Sequence, residues 1–508
     1  MPDASAAESL GGHARAIVIG AGIGGLAAAI RLGARGYRVT VLEKLDKPGG
    51  RAYVREQDGF RFDCGPTIVT VPYLFEELWT LCGRRMADDV TLVPMDPFYR
   101  IRFDDGAVFT YSGDPEKLRA EVARFNPDDV DGFDRFMAVS ARIYRTAFEE
   151  LADRPFHDIL FTAGRLLEMV RLGGHKTVFG TVSRYFKHPQ LRTAFSFHPL
   201  LIGGNPMTTT AYYCLIAHLE RQHGVHYAMG GTGSLVNGMA GLIEGQGGRI
   251  RYGCEVEEIL VEHGAAAGVR LADGERLDAE ITVSNADSAW TYSRLLARQP
   301  RRRWSDAKLK RASYSMGLFV WYFGTDRRFE EVGHHTMVLG PRYEELLRDI
   351  FERHKLAEDC SLYLHRPTAT DPDLAPEGCD AFYVLSPVPN LRSGTDWAVE
   401  GERYRAMVQR RLEETVLPGL GDALVTSSIM TPQDFRDRLL SVEGAAFSLE
   451  PKLFQSAWFR PHNLSEEVEN LYLVGAGCHP GAGMPGVLSS ARILDRLVPD
   501  AAEVARLV

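Results

Sequence analysis

Cysteine is scarce in this chain, with seven residues among 508, at Cys64, Cys82, Cys214, Cys254, Cys360, Cys379 and Cys478. The number is odd, no C-x-x-C pair occurs and no zinc spacing is present, which excludes a disulfide scaffold and fits free thiols in a reducing compartment. Positive charge is not in excess either. Lys and Arg total 58 against 67 Asp and Glu, a net charge of −9, so no nucleic-acid partner steered by a basic surface is expected. Nowhere do eighteen or more clearly apolar residues run together, so no membrane-spanning helix is expected. The nearest approach, Ala16 to Ile30, is broken by glycines and preceded by Asp3 and Glu8, unlike a secretory leader. His334-His335 is a doublet rather than ligand spacing, and no metal is assigned. What remains is ordinary for globular chains: 45% hydrophobic, 10% aromatic and 25% charged residues, enough for two to four units.

The uncharged run has its own explanation. Ala16-Ile17-Val18-Ile19 reads as a buried parallel strand and leads into Gly20-Ala21-Gly22-Ile23-Gly24-Gly25, then the helix-forming Leu26 to Leu32. Gly20-x-Gly22-x-x-Gly25 is the dinucleotide-binding spacing: a tight turn, a close approach for pyrophosphate, and close packing of helix on strand. The helix N-terminus adds N–H groups and a positive dipole end. A second strand, Arg38 to Leu42, ends at Glu43, where a carboxylate is placed to accept hydrogen bonds from ribose hydroxyls and disfavours a 2′-phosphate. After it, Asp46-Lys47-Pro48-Gly49-Gly50-Arg51 puts two glycines and an arginine just past the ribose acid. Arg51 reads as a phosphate or flavin contact, or as a solvated loop arginine.

Residues 116–220 are mainly helical in pattern. Between Arg154 and Arg192 seven Lys and Arg face two acids, Asp158 and Glu168, interleaved with Ile159, Leu160, Phe161, Leu166, Leu167, Met169, Val170, Leu172, Val178 and Phe179. Such a segment suits an anionic membrane surface, and equally an amphipathic helix packed on a core. Short strands follow at Val256–Val261, Ala267–Leu271 and Ala279–Val283, with Ala272-Asp273-Gly274 as hairpin chemistry. Met316 to Phe323 suits a buried strand lining a large apolar cavity, with Leu362–His365 and Phe382–Leu385 as sheet neighbours. Asn470 to Val474 is a further strand, running into the glycine- and proline-dense Gly475 to Val487 before a helix. That density lets backbone lie close against a ligand.

Asp46 to Ala52 (D-K-P-G-G-R-A), Ala194 to Pro206 (A-F-S-F-H-P-L-L-I-G-G-N-P), Gln455 to Asn463 (Q-S-A-W-F-R-P-H-N) and Leu471 to Val487 (L-Y-L-V-G-A-G-C-H-P-G-A-G-M-P-G-V) carry a resemblance that extends from Ala16 to the C-terminal helix. The chain resembles the bacterial phytoene desaturases of the CrtI type, within the flavoprotein group that includes amine oxidases. It departs at Cys478, where relatives usually carry threonine.

The resemblance implies an α/β fold: a discontinuous Rossmann-like FAD-binding domain (14–90, 225–300 and 465–508), a mixed-sheet substrate domain (91–114 and 301–464), and a helical, membrane-associating insertion (115–224) after a disordered tail (1–13). It implies FAD held by Gly20, Gly22, Gly24, Gly25, Glu43, Lys44, Gly50 and Arg51, by Val256 at the adenosine, and by Gly475, Gly477, His479, Gly483 and Val487 along the pyrophosphate and flavin. The implied partners are phytoene and partly desaturated carotenes, a lipid surface on the cytoplasmic side, and oxygen or a quinone as electron acceptor. The implied reaction introduces double bonds, giving neurosporene or lycopene. Related readings are a diapophytoene desaturase, an isomerase, a ketolase, or a non-catalytic isoprenoid-binding protein. A carboxylate beside the reacting bond would stabilise an allylic cation or take the proton. Asp158 is one candidate, with a helix cap as its other role. Asp63 is the second, with a loop-fixing role beside the flavin.

Overall fold

In the computed structural model the described residues are 14–158, 160, 162, 164 and 171–506. The tail expected over 1–13, and the apolar positions Ile159, Phe161, Leu166, Leu167, Met169 and Val170 of the expected membrane segment, lie outside them.

A five-stranded parallel sheet carries the N-terminal motif. Its order is Leu471–Leu473, Ile281–Ser284, Arg15–Ile19, Arg38–Leu42 and Arg249–Arg251. Strands from three distant parts of the chain are therefore neighbours, and helices cover the apolar face that each strand presents. Ile23–Ala34 packs against Thr232–Gly245 and Met484–Arg492 in one core with Val18, Val39, Val41 and Val283. A three-stranded antiparallel sheet, Val256–Glu262, Ala265–Leu271 and Arg276–Asp278, lies between two of these strands in sequence.

Here the structure corrects one expectation. The Asp273-Gly274 turn leads into the short strand Arg276–Asp278. The third apolar run forms Ile281–Ser284 and enters the parallel sheet instead. All four of its residues are buried, and the parallel sheet, with helices on both faces, provides for that.

The second large sheet has seven strands in the order Leu424–Met430, Gly317–Thr325, Asp380–Val388, Leu362–His365, His335–Val338, Tyr99–Arg102 and Val108–Tyr111. Only the His335–Val338/Tyr99–Arg102 pair is parallel. Gly317–Thr325 is buried at every position because both its faces are covered. Phe319, Trp321 and Phe323 pack with Trp397, Tyr404 and Val408 of helix Trp397–Thr415. Leu318, Val320 and Tyr322 face the other way with Phe62 and Tyr383. Each such side chain contributes roughly 1.5–3 kcal/mol on burial. Helices Pro115–Phe125, Val130–Tyr144 and Leu215–His223 close the remaining side over the Tyr99–Arg102 and Val108–Tyr111 strands.

Candidate functional site

One cavity of about 740 Å³ runs from the glycine turn to the wall of the seven-stranded sheet. That is a size typical of ligand sites. Its polar end is built on backbone. Strand Arg15–Ile19 ends at Gly20 (φ +92°), and helix Ile23–Ala34 starts from Gly22 with no side chain capping it. The free N–H groups of its first turn are therefore open to an anion. A Cβ on Gly25 would overlap the carbonyl oxygen of Gly20, so this position sets the helix–strand approach rather than touching ligand. Indeed Gly25 does not line the cavity, whereas Gly20, Gly22 and Gly24 do.

Glu43 is 6% exposed. Its Oε2 accepts from the Ala21 amide at 2.7 Å and its Oε1 from the Leu45 amide at 2.9 Å. The carboxylate thus pins the glycine turn, and each oxygen keeps a second lone pair for a hydroxyl. Lys44 donates to the Asp437 carbonyl at 3.1 Å and pairs with Glu255 at 3.6 Å. Arg51 Nη2 donates to Ser441 Oγ at 2.7 Å, while its buried Nε has no partner among the described residues. Burial pulls the Arg51 pKa down and Asp287 counters it. Asp287 is buried in turn, its pKa raised by that burial, and its Oδ1 caps the turn at Ala289. Gly50 and Val256 complete this end of the lining.

The C-terminal stretch closes the cradle. His479, Gly483 and Val487 line it, whereas Gly475 and Gly477 stand behind. A Cβ on Gly475 would come 2.6 Å from Asn285 Oδ1, and one on Gly477 would meet Ser288. Burial lowers the His479 pKa to about 3, leaving a neutral imidazole 4.7 Å from the Phe156 ring. The thiol of Cys478, the departure noted above, is fully buried and donates to the Gly475 carbonyl at 3.4 Å. It thereby holds the loop as a hydroxyl would.

Three further residues shape the cradle, and their roles emerge only in the structure. Asn285 projects into the glycine cradle, 2.9 Å from where a Gly22 Cβ would stand. Arg460 is 1% exposed and spends its guanidinium on the carbonyls of Ala476, Cys478, Leu449 and Gln455 at 2.7–3.1 Å. Asn463 donates to the carbonyls of His479 and Leu473 at 2.9 and 3.2 Å. Arg460 and Asn463 fall inside the Gln455–Asn463 motif, and the structure gives the motif its reason: it fixes the backbone of the C-terminal loop.

The other end is apolar: Met316, Leu318, Val320, Leu200, Leu201 and Leu385. Of the acids lining the cavity, Glu43, Glu255 and Asp287 gather at the polar end, and Glu220 stands among Phe197, Leu200 and Leu219. Glu220 is 1% exposed, accepts from the Tyr99 hydroxyl at 2.6 Å and lies 3.3 Å from His198 Nε2. The two carboxylates proposed from sequence are elsewhere. Asp158 is exposed, does not line the cavity, and accepts from the Leu160 amide at 2.8 Å, a helix cap. Asp63 is buried behind the lining, at the start of helix Thr232–Gly245, where the amides of Thr232 and Gly233 hold it.

These features fit a flavin adenine dinucleotide. A Cβ would fill the glycine cradle, an uncapped helix N-terminus and the unpaired Arg51 Nε await anionic oxygens, and the cradle opens directly onto a chamber for a second molecule. When bound, FAD supplies a two-electron acceptor. Gly20, Gly22, Gly24, Glu43, Arg51 and Val256 are placed to hold it, with the 475–487 loop across it.

Comparison with known proteins agrees. The chain is 52% identical over 496 residues to the neurosporene-forming phytoene desaturase of Rhodobacter capsulatus, covering 96% of this chain and 95% of that protein. It is 49% identical over 482 residues to the lycopene-forming phytoene desaturase of Pseudescherichia vulneris, covering 94% and 97%. A solved oxidoreductase from Methanosarcina mazei shares the fold at a TM-score of 0.65 and 18% identity, over 95% of this chain and 100% of that one. With the model of the flavin containing amine oxidoreductases matching residues 23–493, the chain belongs to that family.

Proposed function

We infer that this chain is an FAD-dependent phytoene desaturase, an oxidoreductase of carotenoid biosynthesis that introduces double bonds to give neurosporene or lycopene. The observation that carries this is the continuity of one cavity from a dinucleotide cradle to an apolar chamber. A hydrocarbon offers no hydrogen bonds, so a wall of Met, Leu and Val side chains binds it through burial alone. Desaturating a CH₂–CH₂ unit removes a hydride and a proton, which calls for a two-electron acceptor such as flavin. Glu220 is the carboxylate in position to oppose positive charge developing on an allylic carbon.

Phytoene and its products dissolve in lipid, and the cavity rim supports a peripheral site on the cytoplasmic face of a membrane. Phe454 is 73% exposed and Phe459 43%. Both line the cavity beside Trp458, whose ring lies under Arg303 at 4.2 Å, with Lys452 two residues before Phe454. Aromatic residues flanked by cations suit an anionic lipid surface. No helix among the described residues is long and apolar enough to cross a bilayer. Oxygen or a quinone would reoxidise the flavin.

Pigment analysis of a phytoene-accumulating bacterium expressing this chain tests the reading. A coloured conjugated polyene is expected, and its chromatogram counts the steps. Phytoene left untouched by folded, flavin-loaded, membrane-bound protein rejects it.

A further inference from the structure

A hydrogen-bonded chain runs from the cavity to His335 in the seven-stranded sheet, where the ring nitrogens of His365 and His334 left unpartnered among the described residues continue toward the surface, and the roles given so far leave it without a purpose. It begins beside the cofactor end: a Cβ on Gly65 would overlap the carbonyl oxygen of Arg51. Two residues on, Thr67 Oγ1 lies 3.0 Å from the Tyr383 hydroxyl and 3.1 Å from the Tyr363 hydroxyl. Tyr383 donates to the Gly65 carbonyl at 3.2 Å. Tyr363 stands 2.7 Å from His335 Nδ1. Thr67, Tyr363 and Tyr383 all line the cavity. His335 sits opposite His365 across adjacent strands, and the His334 ring lies 4.5 Å from the first and 4.8 Å from the second. His334 Nδ1 is 2.7 Å from Thr370 Oγ1, and these last two residues are partly exposed.

The cluster does not suit a metal. One nitrogen from each ring falls within 4.8 Å of the other two. Yet the His335 and His365 rings are stacked 5.3 Å apart at 19°, so their in-plane lone pairs run side by side instead of meeting at one ion. Burial holds all three imidazoles below the ordinary histidine range, His334 at about 3. They are neutral, and suited to passing a proton rather than storing one.

We propose that Thr67, Tyr363, Tyr383 and His335, continued by His365 and His334, form a proton relay from the cavity to the surface at Thr370. The proposal rests on the desaturase reading. Each desaturation breaks two C–H bonds and forms one C=C bond. One hydrogen leaves with both electrons as hydride, for which the flavin is the acceptor. The other leaves as a proton, which must reach solvent before the next desaturation. The allylic cation left by hydride loss is a strong acid, so a neutral hydroxyl oxygen suffices to receive its proton. Tyr383 or Thr67 takes the proton as its own passes to Tyr363, and Tyr363 passes its proton to His335 Nδ1. The imidazole then releases its Nε2 proton toward His365 and His334, across a gap that ring rotation spans. No group in the chain is left charged, and rotation of the hydroxyls together with a flip of each imidazole ring resets it.

The test uses holoenzyme and phytoene in phosphatidylcholine vesicles, following flavin bleaching in an anaerobic single turnover. Tyr363→Phe, His335→Gln and Thr67→Val are each expected to slow bleaching roughly 100- to 10,000-fold, the range of one lost proton-transfer partner. Flavin content and melting temperature should hold, the wild-type solvent deuterium isotope effect should change, and Thr67→Ser should restore the rate. Nitrogen NMR of histidine-labelled holoenzyme gives a readout apart from turnover: the His335 Nδ1 resonance should move in Tyr363→Phe. Unchanged bleaching in Tyr363→Phe and His335→Gln overturns the relay. So does a slowdown matched by loss of flavin or of melting temperature, or a stoichiometric metal lost in His335→Gln. If wild type leaves the flavin oxidised, the desaturase reading fails instead. The NMR spectrum then decides the relay alone, and a His335 resonance unmoved by Tyr363→Phe overturns it.

Discussion

At the cofactor end the cavity wall is backbone: Gly20, Gly22, Gly24 and Gly50 from the N-terminus and Gly483 from the C-terminus, braced by Asn285, Arg460 and Asn463. At the far end it is side chain: Leu, Met and Val on strands and helices, with Glu220, Tyr363 and Tyr383 as polar exceptions. The first construction tolerates no added atom, because each missing Cβ is space that a phosphate or a carbonyl needs. The second holds by summed burial, so a single apolar substitution alters shape before it alters stability.

The largest effect should therefore come from the smallest change. Gly25→Ala sets a methyl on the Gly20 carbonyl oxygen with backbone on both sides, and a loss of about 3 kcal/mol or more is expected. Calorimetry and flavin-per-chain ratios would show it. A stable, flavin-loaded Gly25→Ala protein would end the contrast between the two walls.

Asp63, behind the cofactor end, has a signature in pH. Burial lifts its pKa from 3.8 to about 6, so the folded state holds the proton more tightly than the unfolded chain. Stability from this group is present at low pH and falls as pH rises from about 4 to about 6, by about 3 kcal/mol. Asp63→Asn keeps an acceptor for the Thr232 and Gly233 amides and should flatten that slope in denaturant titrations. Parallel slopes in the two proteins would contradict the assignment.

The polar exception at the far end comes next. Glu220→Ala strands the Tyr99 hydroxyl and the buried His198, at about 2–3 kcal/mol in urea unfolding. Glu220→Gln keeps an acceptor for Tyr99 and should cost less than about 1 kcal/mol, yet lower desaturation through loss of the charge. Equal activity in Glu220→Gln and wild type would make Glu220 structural only. Arg51→Ala removes a charged contact worth about 2 kcal/mol, so flavin should be retained some 30-fold less tightly, measured by dialysis against apoprotein. Unchanged retention would take Arg51 off the cofactor.

The same contrast explains how much of the molecule was legible in its sequence. The cofactor turn is local: Gly20 to Glu43 spans one strand, one helix and the next strand, so spacing alone described it. The all-buried Gly317–Thr325 strand was legible for a similar reason, as an uncharged run. Beyond the cradle, His335, Tyr363 and Tyr383 come from three strands of a seven-stranded sheet whose order does not follow the chain, and Thr67 and Glu220 hydrogen-bond to tyrosines of that sheet. No window of sequence contains that set. Asp158 and Asp63 take the second of the two roles their sequence context offered, a helix cap and a fixed loop, each accepting from backbone amides. Glu220 sits on an ordinary amphipathic helix, and its partners Tyr99 and His198 stand 121 and 22 residues away, so no local pattern marks it.

The smallest expected effect on stability lies at the rim, where neither construction applies. Phe454 is 73% exposed and packs only edge-on against Phe459, at 5.4 Å between ring centroids. Phe454→Ser should change unfolding free energy by less than about 0.5 kcal/mol and leave flavin content alone, since no cradle residue touches it. Its burden would fall on lipid. A phenylalanine side chain transferred into the acyl boundary gains at most about 1.5–3 kcal/mol, so vesicle co-sedimentation should weaken roughly 10-fold. Neighbouring Arg303 and Lys452 are paired with Glu466 and Glu450, so each adds less than the roughly 1 kcal/mol of a free cation on an anionic surface. Raised salt should therefore release the protein from anionic vesicles more than from neutral ones. Should Phe454→Ser and Phe459→Ser together leave sedimentation unchanged on both kinds of vesicle, the rim is not the lipid-facing edge, and phytoene enters elsewhere.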